Sequence, residues 1–158
     1  IISKVGELNN PADRDHCLQY MVAIGLLKGN LVAEDYEDDI ASDPRVDALR
    51  EKMVINKDKR YSVEYHEPDK RSIANRIKIY FVDGSSTDEV EVEYPIGHKR
   101  RREEGIPVLE QKFLKNLEIS YDLEKCKEIY TLCTDQKKLE STSVVKFQEL
   151  LSKKDNNF

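Results

Sequence analysis

Ile77-Lys78-Ile79-Tyr80-Phe81-Val82-Asp83-Gly84-Ser85-Ser86-Thr87-Asp88-Glu89-Val90-Glu91-Val92-Glu93-Tyr94 holds two runs of strand-forming residues around one turn signal. Asp-Gly with small polar residues between two alternating runs predicts a β-hairpin, with a loop longer than the minimal two residues. Alternation sets Ile77, Ile79 and Phe81 on one face and Lys78 and Tyr80 on the other. Across the turn, Val90, Val92 and Tyr94 oppose Glu89, Glu91 and Glu93. Arg76 or Lys78 can then pair with these glutamates and support the register. The pattern predicts a half-exposed antiparallel sheet with helices on its other face. The fold class is therefore α+β: an antiparallel sheet with helices on one face, followed by C-terminal helices.

Upstream of the hairpin the chain reads as mostly helical. Residues 1–5 suggest a short strand. Asn10 is a good N-cap and Pro11 suits the first helical position, so a helix is expected over 12–28, ended by Gly29. Its period turns Cys17, Leu18, Met21, Val22 and Leu26 inward. An acidic helix is expected over 33–41. Asp43-Pro44 repeats the cap signal and opens a helix to about residue 52. Residues 53–56 and 61–66 read as extended. Gly97 to Gly105 reads as a basic loop, with helices over about 107–119, 122–134 and 143–152, then a polar, frayed end.

Bulk properties narrow the function. The sequence has 158 residues, 39% hydrophobic and 36% charged, with a formal net charge of −5. A chain of this length removes roughly 68–70% of its unfolded surface on folding, enough for a real core. The negative balance argues against a general nucleic-acid binder. No apolar run reaches the roughly 18 residues of a membrane span. Cys17, Cys126 and Cys133 form no CxxC pair, which fits free thiols in a reducing compartment and gives no sign of an iron–sulfur cluster. Cys126 and Cys133, seven residues apart, read as core thiols. The expected metal and cofactor complement is none. The start at Ile1, without Met or a targeting run, is expected of a piece of a longer protein, so no compartment follows from it.

Two segments carry candidate chemistry. In Asn10-Pro11-Ala12-Asp13-Arg14-Asp15-His16-Cys17-Leu18-Gln19-Tyr20-Met21, the expected helix start favours an anion and a neutral His16 able to accept a proton. Tyr20, at i+4, would share its face, and Arg14 could hold a carboxylate in two-pronged fashion. The plain alternative is a capped helix start with His16 half-exposed. In His98-Lys99-Arg100-Arg101-Arg102, consecutive cations repel unless solvated or bound to anions. This run is a carboxylate-binding loop or lid, or a solvated loop paired with Glu103 and Glu104; nucleic-acid contact is the weakest reading. Arg71 is a further anion contact or a loop residue. The Glu34–Asp39 run reads as a solvated face.

The Asn10–Met21 segment, Arg71-Ser72-Ile73-Ala74-Asn75 and Glu93-Tyr94-Pro95-Ile96-Gly97-His98-Lys99-Arg100-Arg101-Arg102, in that order, resemble the MmgE/PrpD family. There, a run like the first opens the smaller, C-terminal domain. The resemblance implies a cluster-independent hydro-lyase that removes water from a tricarboxylate, 2-methylcitrate, in propionate breakdown. It implies that residues 1–104 form a lid-like α+β domain and that 105–158 return to pack on a large, absent N-terminal helical domain. It implies His16 and Tyr20 as catalytic groups, with Arg14, Arg71, His98, Lys99, Arg100 and Arg101 binding substrate. A homodimer is expected, with no nucleic acid or membrane partner, in mitochondria if the source is eukaryotic and otherwise in the cytoplasm. The isolated piece should be inactive. Two alternatives stay open: a cis-aconitate decarboxylase-like or other activity of the same family, and a non-catalytic module for anion binding or subunit contact.

Overall fold

A computed structural model describes residues 3–152. The chain divides into two units after Lys59.

In the first unit, local capping starts the helices. The Asn10 side chain accepts from the Asp13 N–H at 2.9 Å, and Pro11 opens α1 (Pro11–Asp15). The single helix expected over 12–28 is in fact two. The chain leaves α1 at His16, passes through an extended Cys17 (φ −119°, ψ 106°), and enters α2 (Leu18–Lys28). Cys17 is fully buried there, its thiol directed to the Lys4 carbonyl at 3.6 Å. This break resets the helical phase. Tyr20, Ala23 and Ile24 point inward in place of Leu18, Met21, Val22 and Leu26. Gly29 (φ 79°) ends α2 in the left-handed region, as its sequence predicts.

The acidic stretch folds as a 3-10 turn, Ala33–Tyr36, and α3 (Asp38–Ala41). Asp43 caps α4 (Pro44–Arg50), accepting from the Arg45 N–H at 2.9 Å. Cys17, Tyr20, Ala23, Ile24 and Val46 form the core, bordered by Leu8, Leu27, Leu49 and Met53. Each large apolar side chain buried here stabilises the unit by roughly 1.5–3 kcal/mol. Ser3 to Val5 form no strand; Ile1 and Ile2 lie outside the described residues.

The second unit begins with a correction. Residues 61–66, expected to be extended, belong to α5 (Lys59–His66). The Tyr61-Val63-Tyr65 alternation has no buried face to serve, since Val63 and Tyr65 are both exposed. The helix instead brings Arg60 onto Glu91 at 2.7 Å and the buried Glu64 onto Lys70 at 2.8 Å. The hairpin is present, with β1 (Asn75–Ile77) antiparallel to β2 (Val90–Val92) and Arg76 opposite Glu91. Arg76 also reaches Glu89 at 3.3 Å. The strands are shorter than their sequence suggests, and Ile77, Val90 and Val92 are all exposed. Beyond them only a bridge between Tyr80 and Ser86 and the Gly84 turn (φ 85°) continue the hairpin.

A 3-10 turn, Lys99–Arg101, leads into α6 (Arg102–Glu118), which starts before Pro107 rather than after it. Asp122 caps α7 (Leu123–Thr134), Asp135 caps α8 (Gln136–Ser141) and Ser143 caps α9 (Val144–Leu151). α8 has no counterpart in the sequence reading. Leu117, Cys126 and Ile129 form this unit's core, with Phe113, Tyr121, Cys133, Leu150 and Leu151 around it. Both cysteines thus sit in or against the core. The chain is α+β.

Gly105 fixes how α6 begins. A Cβ at this position would overlap the Ile96 carbonyl oxygen, a backbone atom that no rotamer change can move. Gly105→Ala is therefore expected to destabilise the start of α6 by about 1–3 kcal/mol, the usual cost of overpacking. A thermal midpoint unchanged from that of the parent protein would show that the turn before α6 can shift freely.

Candidate functional site

The second unit contains an open groove built by two turns. After α5, the Lys70 and Arg71 N–H groups both return to the Glu67 carbonyl, at 3.1 and 2.9 Å. Arg71 adopts φ +49°, the one non-glycine residue with positive φ among the described residues. Such a conformation costs an ordinary side chain of order 1–3 kcal/mol and persists only where its surroundings impose it. The second turn follows Tyr94, where the His98 N–H donates to the Pro95 carbonyl at 2.8 Å. Tyr65, Arg71, Ile73, Pro95, Gly97, His98 and Lys99 line the groove between them, a volume of about 490 Å³.

The basic run divides into two kinds of residue. Arg101 grips Glu104 through two nitrogens, at 3.1 and 2.7 Å, and donates to the Tyr94 carbonyl at 3.0 Å. Its hydrogen bond holds the Glu104 carboxyl below the usual carboxylate range. Arg100 donates to the Asp69 carbonyl and lies 5.1 Å from the centre of the Tyr94 ring. Both side chains are braces. Among the described residues, the Arg71 guanidinium and the Lys99 ammonium have no such partner, and both line the groove. His98 joins them, its Nδ1 accepting from the Arg100 N–H at 3.2 Å. Two unpaired cations and an imidazole around a partly apolar groove suit a carboxylate-bearing molecule.

Arg14, His16 and Tyr20 lie in the first unit and do not form one polar face. Arg14 is buried, donating to the Tyr36 carbonyl at 2.6 Å and to Asp38 at 2.7 Å. Tyr20 is buried too, its hydroxyl donating to the Asp35 carbonyl at 2.5 Å. Desolvation pushes its pKa up. His16 is exposed at the end of α1, with Nδ1 against the Asp15 carboxylate and 3.2 Å from the Ala12 carbonyl. These acceptors, the Asp15 hydrogen bond first, raise its pKa. A neutral His16 at a helix N-terminus is thus corrected: the break at Cys17 leaves it at a C-terminal end, where carbonyls favour the cation.

Of the candidate residues, Arg71, His98 and Lys99 line this groove together with Tyr65 and Ile73, which the sequence reading does not single out; Tyr94 lies behind His98. Tyr94 and Ile73 fall inside two of the quoted motifs; nothing local marks Tyr65. Among the described residues no group of three His, Cys, Asp or Glu side chains could hold a metal ion. No described helix is long and apolar enough to cross a membrane.

Comparison with known proteins extends these findings. The profile of the MmgE/PrpD C-terminal domain matches residues 1–136. A Yarrowia lipolytica protein named 2-methylcitrate dehydratase, mitochondrial, is 64% identical over 117 residues, covering 74% of this chain and 22% of its own length. The 2-methylcitrate dehydratase of Salmonella typhimurium is 51% identical over 150 residues, covering 95% of this chain and 31% of its own. A probable 2-methylcitrate dehydratase of Saccharomyces cerevisiae is 55% identical over 117 residues, 74% of this chain and 23% of its own. The chain therefore spans less than a third of the length of these relatives.

Proposed function

Because the chain belongs to the MmgE/PrpD family, as its C-terminal domain, we propose that it is part of a 2-methylcitrate dehydratase and supplies that enzyme's carboxylate-binding wall. The reaction removes a proton from the carbon next to a carboxylate and hydroxide from the neighbouring carbon. A double bond forms, giving 2-methyl-cis-aconitate, and proton and hydroxide leave as water. The observation that carries the role of this domain is the groove with Arg71 and Lys99 unpaired beside His98. A tricarboxylate brings three negative charges, and proton removal adds enolate-like charge to one carboxylate. Cations held in place before the reaction stabilise that charge without reorganising. Arg71 supplies a two-pronged donor and Lys99 a point charge. The general base belongs to the part of the enzyme that precedes this chain.

The burial of Arg14 and Tyr20 supports a bracing role for both, and the exposure of His16 keeps it as the polar group this unit can offer a substrate. The helices after residue 105 expose Ile106, Val108, Leu109, Ile119 and Leu123. This supports packing of the helices after residue 105 on the preceding helical domain; that the whole enzyme is a homodimer is part of the same proposal. The compartment we assign is the mitochondrion for a eukaryotic source, as in the name of the Yarrowia relative, and the cytoplasm for a bacterial one.

The test compares two proteins in a 2-methylcitrate dehydration assay. The full-length parent is expected to turn over substrate and residues 1–158 alone to show none. Turnover by the isolated chain would overturn the division of labour, and an inactive full-length protein would overturn the assignment itself.

A further inference from the structure

Tyr94 immediately precedes the turn that leads into the basic run and does not line the groove. Its ring centre lies 4.6 Å from that of His98, with the ring planes at 34°. The Arg100 guanidinium sits 5.1 Å from the same ring. Its carbonyl accepts from Arg101 at 3.0 Å. Arg100 also donates to the carbonyl of Asp69, two residues before the strained Arg71. One half-buried aromatic ring thus ties the His98 side of the groove to the turn that carries Arg71.

His98 is fixed on two sides. Its face is against Tyr94, and its Nδ1 accepts from the Arg100 N–H. With Nδ1 accepting, a neutral imidazole carries its proton on Nε2 and can only donate from that edge. An imidazole held this way presents a hydrogen-bond donor, not a base, to a ligand in the groove.

We infer that Tyr94 is a positioning residue: by stacking on His98 and Arg100 it holds the His98 Nε2–H as a donor to a substrate carboxylate. The inference rests on the groove being the carboxylate site, and it adds the atom that binds and the ring that aims it. The stack needs an aromatic face and not the phenol hydroxyl. Arg over an aromatic face and offset ring pairs are both favourable contacts, each small, and here they act on one orientation.

The experiment is a double-mutant cycle in the full-length protein, read by the dissociation constant for citrate as a tricarboxylate probe and by KM and kcat for 2-methylcitrate. Tyr94→Met is expected to weaken citrate binding and raise KM about 5- to 20-fold with little change in kcat. Tyr94→Phe is expected to stay within twofold of the parent. His98→Ala should lose at least as much as Tyr94→Met, and adding Tyr94→Met to His98→Ala should cost nothing further. Additive losses would overturn the positioning role and leave the groove as the binding site. A silent His98→Ala would overturn the groove reading and this inference together. Failure of Tyr94→Phe to restore binding would overturn the stacking argument. A Tyr94→Met protein that no longer folds would make the ring a core residue and equally overturn it.

Discussion

Replacing Arg71 with glycine in the full-length protein is expected to raise KM for 2-methylcitrate by about 10- to 100-fold and, at the same time, to raise the thermal midpoint. The first effect follows from losing a charged hydrogen-bond donor, worth about 1.5–3 kcal/mol. The second follows from φ +49°, which glycine adopts without a steric penalty. Relief of about 1–3 kcal/mol of strain is partly offset by the greater freedom of an unfolded glycine, about 0.4–1 kcal/mol. In a protein about three times this chain's length, a gain of about 1–2 °C is the expected net result. Arg71→Lys separates the two effects. It keeps the charge and the strain, so KM should rise less and the midpoint should not rise. A KM within twofold of the parent's for Arg71→Gly would remove Arg71 from the binding wall. An unchanged midpoint would mean that the turn relaxes without the arginine.

The second large effect is expected at Asp35. Its side chain is fully buried, accepts from the Val32 N–H at 2.8 Å and pairs with Lys28, while its carbonyl receives the Tyr20 hydroxyl. Asp35→Ala leaves the Val32 donor unmet and Lys28 without its partner. Lys28 is 40% exposed, so its ammonium stays hydrated, and the expected loss is about 1.5–3 kcal/mol, the scale for a hydrogen bond to a charged group. Burial alone would push the Asp35 pKa up, but the Lys28 hydrogen bond and the Val32 N–H outweigh it and hold the carboxyl below its ordinary 3.8. A folded-state pKa below the unfolded one fixes the sign. The stability from Asp35 is fully present above about pH 5 and is lost as pH falls through the folded value. Asp35→Asn should therefore be less stable than the parent at pH 7, with the difference narrowing as pH falls below about 4, as read by urea midpoints. A difference that stays constant from pH 7 to pH 3 would show that the charge on Asp35 contributes nothing.

What the sequence made legible was chiefly what local chemistry decides. Asn10 and Asp43 each cap the helix their side chains announce, and Gly29 ends one. The hairpin, and the pairing of Arg76 with the facing glutamates, follow from turn and charge together. The failures arose where packing overrides local pattern. Cys17 reads as one more inward position of a continuous helix; it is buried, but the chain is extended there, and the break separates His16 from Tyr20. The alternation at Tyr61, Val63 and Tyr65 reads as a strand only until one asks what would cover it. Pro107 suggests a start for α6, whereas the helix runs on directly from the 3-10 turn at Lys99–Arg101 and begins at Arg102. The basic run drew notice in the sequence, and three of the candidate residues, Arg71, His98 and Lys99, do line one groove. Which of the cations are braces and which are open is a matter of distances between the two turns, and no spacing in the sequence carries that.

The two-stranded hairpin has a consequence for the chain's solubility. In a ribbon of two strands both outer edges are unpaired, so each could template a strand from another molecule. Ile77, Val90 and Val92 face water here, which would favour such stacking. Arg76, Lys78, Glu89, Glu91 and Glu93 alternate with them, and Arg60 already occupies Glu91. A strand added from another molecule would have to strip water from those charges or match them in sign and register. The residues that set the register of the hairpin thus also serve as gatekeepers against growth into a larger sheet.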